Sequence, residues 1–307
     1  MSKESRPCGT LVLGHPRSGT TLLRRLLNAH SSLAAPPETH LFSACARFLE
    51  SDKTAEGVDM GVLAGLHFSG FEDAEVRARL RTFAFSFLEE FAARQGKPRW
   101  VEKTAVDVFR LRDIEALCEN RVFYLGIIRH PLDVAVSCKE FCDAVGAYPA
   151  PMHAYVQRYP QPIEAFVRSW VDTSNAMIEL GNRRPSRCLI CRYEDLVEDP
   201  EGVLGEILNF IGEEAEPDLF ATAFNGLENL GFSDHKSYQV GKVHGRSIDR
   251  WRSLPRPQID RLAPLISPLL DQFGYDPIEP CAPLSVEQLR HRYATSLAVH
   301  AGKKVDD

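Results

Sequence analysis

The chain has no excess of positive charge. Its 307 residues carry 36 lysines and arginines against 42 aspartates and glutamates, a formal net charge of −6. Nucleic-acid binders usually present a basic face, so no nucleic-acid partner is expected. A small anion remains possible, because it responds to a local arginine cluster and not to net charge. Long apolar runs are also missing. None approaches the about 18 residues of a membrane-spanning helix, so no membrane role is expected. The polar start from Met1 to Cys8 lacks the apolar stretch and small-residue cleavage site of a secretory signal. A cytoplasmic location follows as an expectation, with the eight cysteines as reduced thiols. Cys188 and Cys191 have CxxC spacing, but no second CxxC or histidine cluster completes a zinc site. They read as core filler, as do Cys138 and Cys142. Internal repeats, low-complexity tracts and a clear linker are lacking too. With 44% hydrophobic and 25% charged residues, the composition is that of a globular chain, and one domain over residues 1–307 is expected.

Four short apolar runs read as buried parallel strands: Thr10 to Gly14, Arg99 to Val101, Val122 to Ile128 and Arg187 to Cys191. They lack the alternation of a half-exposed sheet, as strands covered by helices on both faces do. Helical patterns lie between them. One follows Gly19 with Leu22, Leu23, Leu26 and Leu27. A second spans Glu72 to Ala93 with Leu80, Phe83, Phe87, Leu88 and Phe91. A third starts at Pro131, and a fourth runs from Pro162 to Leu180. The alternation predicts a three-layer, P-loop-like α/β fold, a central parallel sheet flanked by helices. The Pro-, Tyr- and Ala-rich stretch 146–162 reads as a mobile loop or a wall of an acceptor pocket, and 225–257 as a lid. The tail from Ser267 carries no readable signal.

The strongest local signal is Gly14-His-Pro-Arg-Ser-Gly19-Thr-Thr-Leu-Leu, between a strand and an amphipathic helix. Glycines permit tight turns and close approach to an anion. Amides at a helix start, with the helix dipole, favour phosphate. Arg17 adds a permanently charged planar fork, and Ser18, Thr20 and Thr21 add hydroxyls. Two residues of the triphosphatase pattern are absent. Thr20 stands where a triphosphatase has lysine, and the strand Val122 to Ile128 ends in Arg129 where a magnesium-holding aspartate would be expected. Arginine at a strand's carboxyl end lies where open α/β sheets bind ligands, and Ser137 follows about two turns along the helix that Pro131 begins.

Pro16-Arg17-Ser18-Gly19-Thr20-Thr21 resembles the 5′-phosphosulfate loop of sulfotransferases that use 3′-phosphoadenosine-5′-phosphosulfate (PAPS). The wider stretch through Asn28-Ala-His30 and Pro37-Glu-Thr-His40 is most similar to the branch holding tyrosylprotein sulfotransferases and bacterial small-molecule sulfotransferases. That resemblance implies PAPS as cosubstrate, 3′-phosphoadenosine-5′-phosphate (PAP) as product, and no metal. It implies that Arg17 and its loop neighbours hold the 5′-phosphosulfate, while Arg129 and Ser137 clamp the 3′-phosphate. Glu38 matches the general base. Relatives often carry arginine where this chain has His40, which stands as the next candidate base. Lys103 matches a lysine near the bridging oxygen of the donor. Tyr193, in Tyr-Glu-Asp-Leu, would lie close to the nucleotide. The segment Gly245-Arg246-Ser-Ile-Asp-Arg250-Trp251 resembles one that closes over PAPS, with the choice between Arg246 and Arg250 left open. The expected acceptor is a hydroxyl or amine on a small molecule. A peptide tyrosine, a carrier-bound acyl chain and an ATP-dependent kinase-like reaction are the alternatives.

Overall fold

In the computed structural model, which describes residues 7–217, 219–225, 247–279, 285–287, 290–291 and 293–296, the apolar runs assemble into a sheet. Chain order is β1 (Gly9–Leu13), α1 (Thr20–Ala29), β2 (Leu33–Ala34), α2 (Leu41–Phe48), β3 (Ser51–Lys53), β4 (Asp59–Gly61), α3 (Val62–Phe68), α4 (Asp73–Arg94) and β5 (Arg99–Glu102). Then follow α5 (Leu111–Cys118), β6 (Val122–Ile128), α6 (Pro131–Val145), α7 (His153–Arg158), α8 (Pro162–Arg183), β7 (Cys188–Arg192), α9 (Tyr193–Glu198), α10 (Pro200–Ile211), α11 (Leu219–Asn225) and α12 (Arg256–Gln272). The main sheet has five strands in the order β2-β5-β1-β6-β7, and every pairing in it is parallel.

Successive strand residues face opposite ways. Leu11, Leu13, Tyr124 and Ile128 therefore enter the core shared with α4, α5, α6, α8 and α12. Val12, Phe123, Leu125 and Ile127 enter a second core with α1, α9 and α10. The result is the expected three-layer α/β fold. Cys188 faces the first core and Cys191 the second, so their thiols point to opposite sides of β7. Burial pushes both up to about 12.

The strands fall within a residue of their expected bounds. The two-residue β2 and the β3–β4 hairpin were not expected, being too short to carry a pattern. The stretch 146–162 differs from the loop reading. It holds a 3₁₀ turn (Ala150–Met152) and α7. Met152 is buried, and the Tyr155 ring lies 6.3 Å from Phe109. Its hydroxyl donates to Asp172 at 2.8 Å. Pro151 and Pro162 sit in the first turn of helical segments, where a missing N–H costs nothing; the start of α8 at Pro162 agrees with the sequence reading. Of the expected lid, 226–246 lie outside the described residues. Ser247 onward forms a turn that leads into α12. That helix, unread in the sequence, packs Ile259, Leu262, Ile266 and Leu269 into the first core.

Candidate active site

The candidate site lies at the carboxyl ends of the parallel strands β2, β5, β1, β6 and β7. β1 runs into the loop Gly14–Gly19, and α1 leaves it. Arg17 and Gly19 both take left-handed backbone, at φ 74° and 100°. Gly19 is required there on two counts, since a Cβ would lie 2.3 Å from the Tyr193 ring. Beneath the loop, the His15 ring is buried. Its Nδ1–H donates to the Pro16 carbonyl at 2.9 Å, and its Nε2 lies 2.8 Å from the Ser169 hydroxyl of α8. Burial lowers its pKa to about 4, so the ring is neutral near pH 7. Ser18 is fully buried, and its hydroxyl has no protein partner among the described residues.

The Arg17 Nε donates to Ser137 Oγ at 3.3 Å, and its guanidinium lies over the Phe141 ring. Arg129, at the end of β6, donates from Nη1 to the Arg17 carbonyl at 2.8 Å and from Nη2 to the Ser247 carbonyl at 2.5 Å. Its guanidinium sits 5.0 Å over the Tyr193 ring, while its buried Nε has no protein partner among the described residues. Arg17, Arg129, Ser137 and Tyr193 therefore converge from four segments on the loop. Buried donors without protein partners are what a site shaped for an oxyanion ligand should display.

A second group adjoins the first turn of α1. Lys103, just past β5 and 2% exposed, donates to Glu38 Oε1 at 2.6 Å and to Thr21 Oγ1 at 3.2 Å. The Ala105 amide donates to the same Glu38 oxygen at 3.4 Å. His40 Nε2 lies 3.9 Å from Glu38 Oε2, and that ring is half exposed. Glu38 and Lys103, distant in sequence, thus meet beside the loop. Chemically, a carboxylate can take a proton here while a neighbouring ammonium offsets charge on a departing oxygen.

Arg250 pairs with Glu140 of α6, one turn beyond Ser137. Arg246 lies outside the described residues. The turn next to it is tied down by groups the sequence reading left without this role. Asp133 accepts the amides of Asp249 at 2.9 Å and Trp251 at 2.8 Å. Trp251 stacks on His130, ring centroids 4.9 Å apart. Glu194 accepts the His130 amide at 2.9 Å and the Tyr275 hydroxyl at 2.7 Å. An aspartate three residues into a proline-led helix was the one available signal, and it fits a helix start equally well.

A loop with left-handed turns at a helix start, an arginine at the adjacent strand end, and a parallel sheet between helices make a P-loop-like α/β fold with an anion site at its strand ends. Residues 10–217 match the profile of the sulfotransferase family. The chain belongs to that family and is an enzyme. Among curated proteins it is similar to the nodulation protein NoeE of Sinorhizobium fredii, 27% identical over 90% of this chain and 68% of that protein. A putative protein-tyrosine sulfotransferase of Caenorhabditis briggsae is 26% identical over 86% of this chain and 88% of its own length. Among solved structures, the sulfotransferase domain from the curacin biosynthetic pathway superposes with a TM-score of 0.60 at 23% identity, covering 89% of this chain and 99% of that one. The sulfotransferase domain of the Synechococcus PCC 7002 olefin synthase gives the same TM-score of 0.60 and 23% identity, covering 89% of this chain and 97% of that one. At that identity, both show a shared fold.

Among the described residues, no helix is long and apolar enough to cross a membrane.

Proposed function

We propose that the enzyme transfers the sulfuryl group of PAPS to a hydroxyl or amine of a small-molecule acceptor, by in-line displacement with Glu38 as general base. The observation that carries this reading is the Glu38–Lys103 pair, 2.6 Å apart and bonded to Thr21 at the phosphate loop. The loop amides with Ser18, Thr20 and Thr21 would bind the 5′-phosphosulfate, and Arg17 would offset its charge. Arg129 and Ser137 would hold the 3′-phosphate, with Tyr193 against the nucleotide and Arg250 at the rim. The buried, unpartnered Ser18 hydroxyl and Arg129 Nε support that division.

In the reaction, Glu38 takes the acceptor's proton as the acceptor atom bonds to sulfur. The bond from sulfur to the bridging oxygen breaks, its electron pair stays on the 5′-phosphate oxygen, and Lys103 stabilises that oxygen or protonates it. Positioning and electrostatics supply the rate, as in phosphoryl transfer. The Glu38 side chain is only 14% exposed. An acceptor must therefore be narrow at its nucleophile, as an alcohol, an amine or a phenol is. A peptide tyrosine meets the same requirement, and the name of the Caenorhabditis briggsae relative favours it as the second reading.

The loop has no lysine in the triphosphatase position, and the β6 strand ends in Arg129, which suits a phosphate and repels a magnesium ion. Transfer of radiolabel from PAPS to acceptors in a cell extract should therefore persist when dialysed enzyme is assayed in excess EDTA. Loss of transfer in EDTA with recovery on adding magnesium would contradict the metal-free reading.

A further inference from the structure

β5 ends in Glu102, a carboxyl only 1% exposed. Burying a carboxyl is costly unless it is bonded, and its bonds show what it holds. Oε1 accepts three hydrogen bonds: from Thr104 Oγ1 at 2.7 Å, from Thr39 Oγ1 at 3.0 Å and from the Thr39 amide at 3.3 Å. Both hydroxyls pass the restraint on. Thr104 Oγ1 accepts the His40 amide at 3.1 Å, and Thr39 Oγ1 accepts the Leu41 amide at 3.3 Å. Three successive amides after Glu38 are thus anchored, directly or through one hydroxyl, to a single carboxylate.

The anchored backbone is strained. His40 sits at φ 57°, a left-handed conformation that costs a non-glycine residue about 1 kcal/mol or more. Such a conformation persists where its surroundings over-determine it, and these three amides have that effect. Glu102 also adjoins Lys103 in the chain. The residue that fixes the backbone after Glu38 therefore belongs to the same short segment as the lysine that Glu38 meets.

We infer that Glu102 is a positioning residue: through Thr39 and Thr104 it fixes the backbone that aims the Glu38 carboxylate at Lys103 and the acceptor. This rests on the reading of Glu38 as the base.

The charges around it agree. Burial raises Glu102 to about 7. Among the described residues, the Lys103 ammonium favours the charged form of Glu102, and Glu102 in turn acts on Asp107. Asp107, buried and bonded to Ser43 of α2, is raised well above the usual carboxylate range, first by burial and then by the Glu102 charge.

The test uses the full chain with Glu102→Ala and Glu102→Gln, each alone and combined with Glu38→Gln. Initial transfer rates are read from radiolabelled PAPS to a cell extract, alongside PAP affinity by calorimetry and amide exchange at residues 39–41. Misplacing a reacting group by about 1 Å can cost roughly 10²-fold, so Glu102→Ala should slow transfer by about that factor. PAP affinity should be unchanged, and exchange at 39–41 should quicken. Glu102→Gln keeps an acceptor oxygen and should recover most of the rate. In the Glu38→Gln background, Glu102→Ala should cause no further loss, because two residues acting through one step are non-additive. If Glu102→Ala does not fold, Thr39→Val, which removes one bond to Glu102 and the acceptor of the Leu41 amide while leaving the Thr39 amide bonded to Glu102, should slow transfer in the same non-additive way. Equal losses in both backgrounds, or a Glu102→Gln as slow as Glu102→Ala, would overturn the inference. Glu38→Gln at wild-type rate would instead overturn the base assignment on which it rests.

Discussion

Replacing Glu38 by glutamine should lower the turnover rate by roughly 10²-fold or more, the usual contribution of a positioned general base. Glutamine keeps the shape of the side chain and can still accept from Lys103, so the local structure should survive. Basicity is what is lost. PAP binding measured by calorimetry should be nearly unchanged, because Glu38 touches Lys103, Ala105 and the edge of His40 and is not placed as a phosphate ligand. The split between rate and affinity is the diagnostic feature. A carboxylate that merely held Lys103 in place would be replaced by glutamine with little change in either. If Glu38→Gln turned over at nearly the wild-type rate, His40 would become the base, since its Nε2 lies 3.9 Å from the same carboxylate and a neutral imidazole performs that role near pH 7.

The second large effect is expected at Arg129. A hydrogen bond to a charged group is worth about 1.5–3 kcal/mol, so Arg129→Ala should weaken PAP binding by roughly 10- to 150-fold. Adenosine-5′-phosphosulfate has no 3′-phosphate, and its affinity should be weak in the wild type and little altered by the substitution. The gap between the two ligands should therefore shrink. Arg129 also donates to the Arg17 and Ser247 carbonyls, so some loss of stability should accompany the change. Comparing the two ligands separates the roles, because a general loss of fold would weaken both alike. Equal affinity of the wild type for PAP and adenosine-5′-phosphosulfate would remove Arg129 and Ser137 from the 3′-phosphate.

The parts of this site that were legible in the sequence are those whose chemistry is local. Gly19, Arg17 and the hydroxyl run stand within a few residues of each other; the turn demands glycine at 19, and the arginine and hydroxyls are the donors an anion needs. Arg129 was marked by the apolar strand before it and by Pro131 after it. Lys103 and Glu38 came through resemblance, and their distance of 2.6 Å required the fold to bring together residues 65 apart in the chain. Glu102 had no signal at all, because a glutamate at a strand end reads as solvated until Thr39 is seen to cover it. Periodicity found α4 but not its facing. Leu88 is buried as expected, whereas Phe83 and Phe87 are each 53% exposed and pack edge to face on each other. The apolar residues of α4 run around more than one face, so spacing alone could not choose among them. α12 was hidden by Pro264 and Pro268, residues that normally end a helix. Both lie on its exposed side, and burial of Ile259, Leu262, Ile266 and Leu269 on the other side offsets the missing bonds.

The most direct measurement offers the enzyme two donors in parallel with the same cell extract: PAPS radiolabelled in sulfur, and ATP radiolabelled in its terminal phosphate with magnesium. The account predicts label in acceptor products from PAPS, competed away by added PAP, and none above an enzyme-free control from ATP. Transfer from ATP, with none from PAPS, would contradict it.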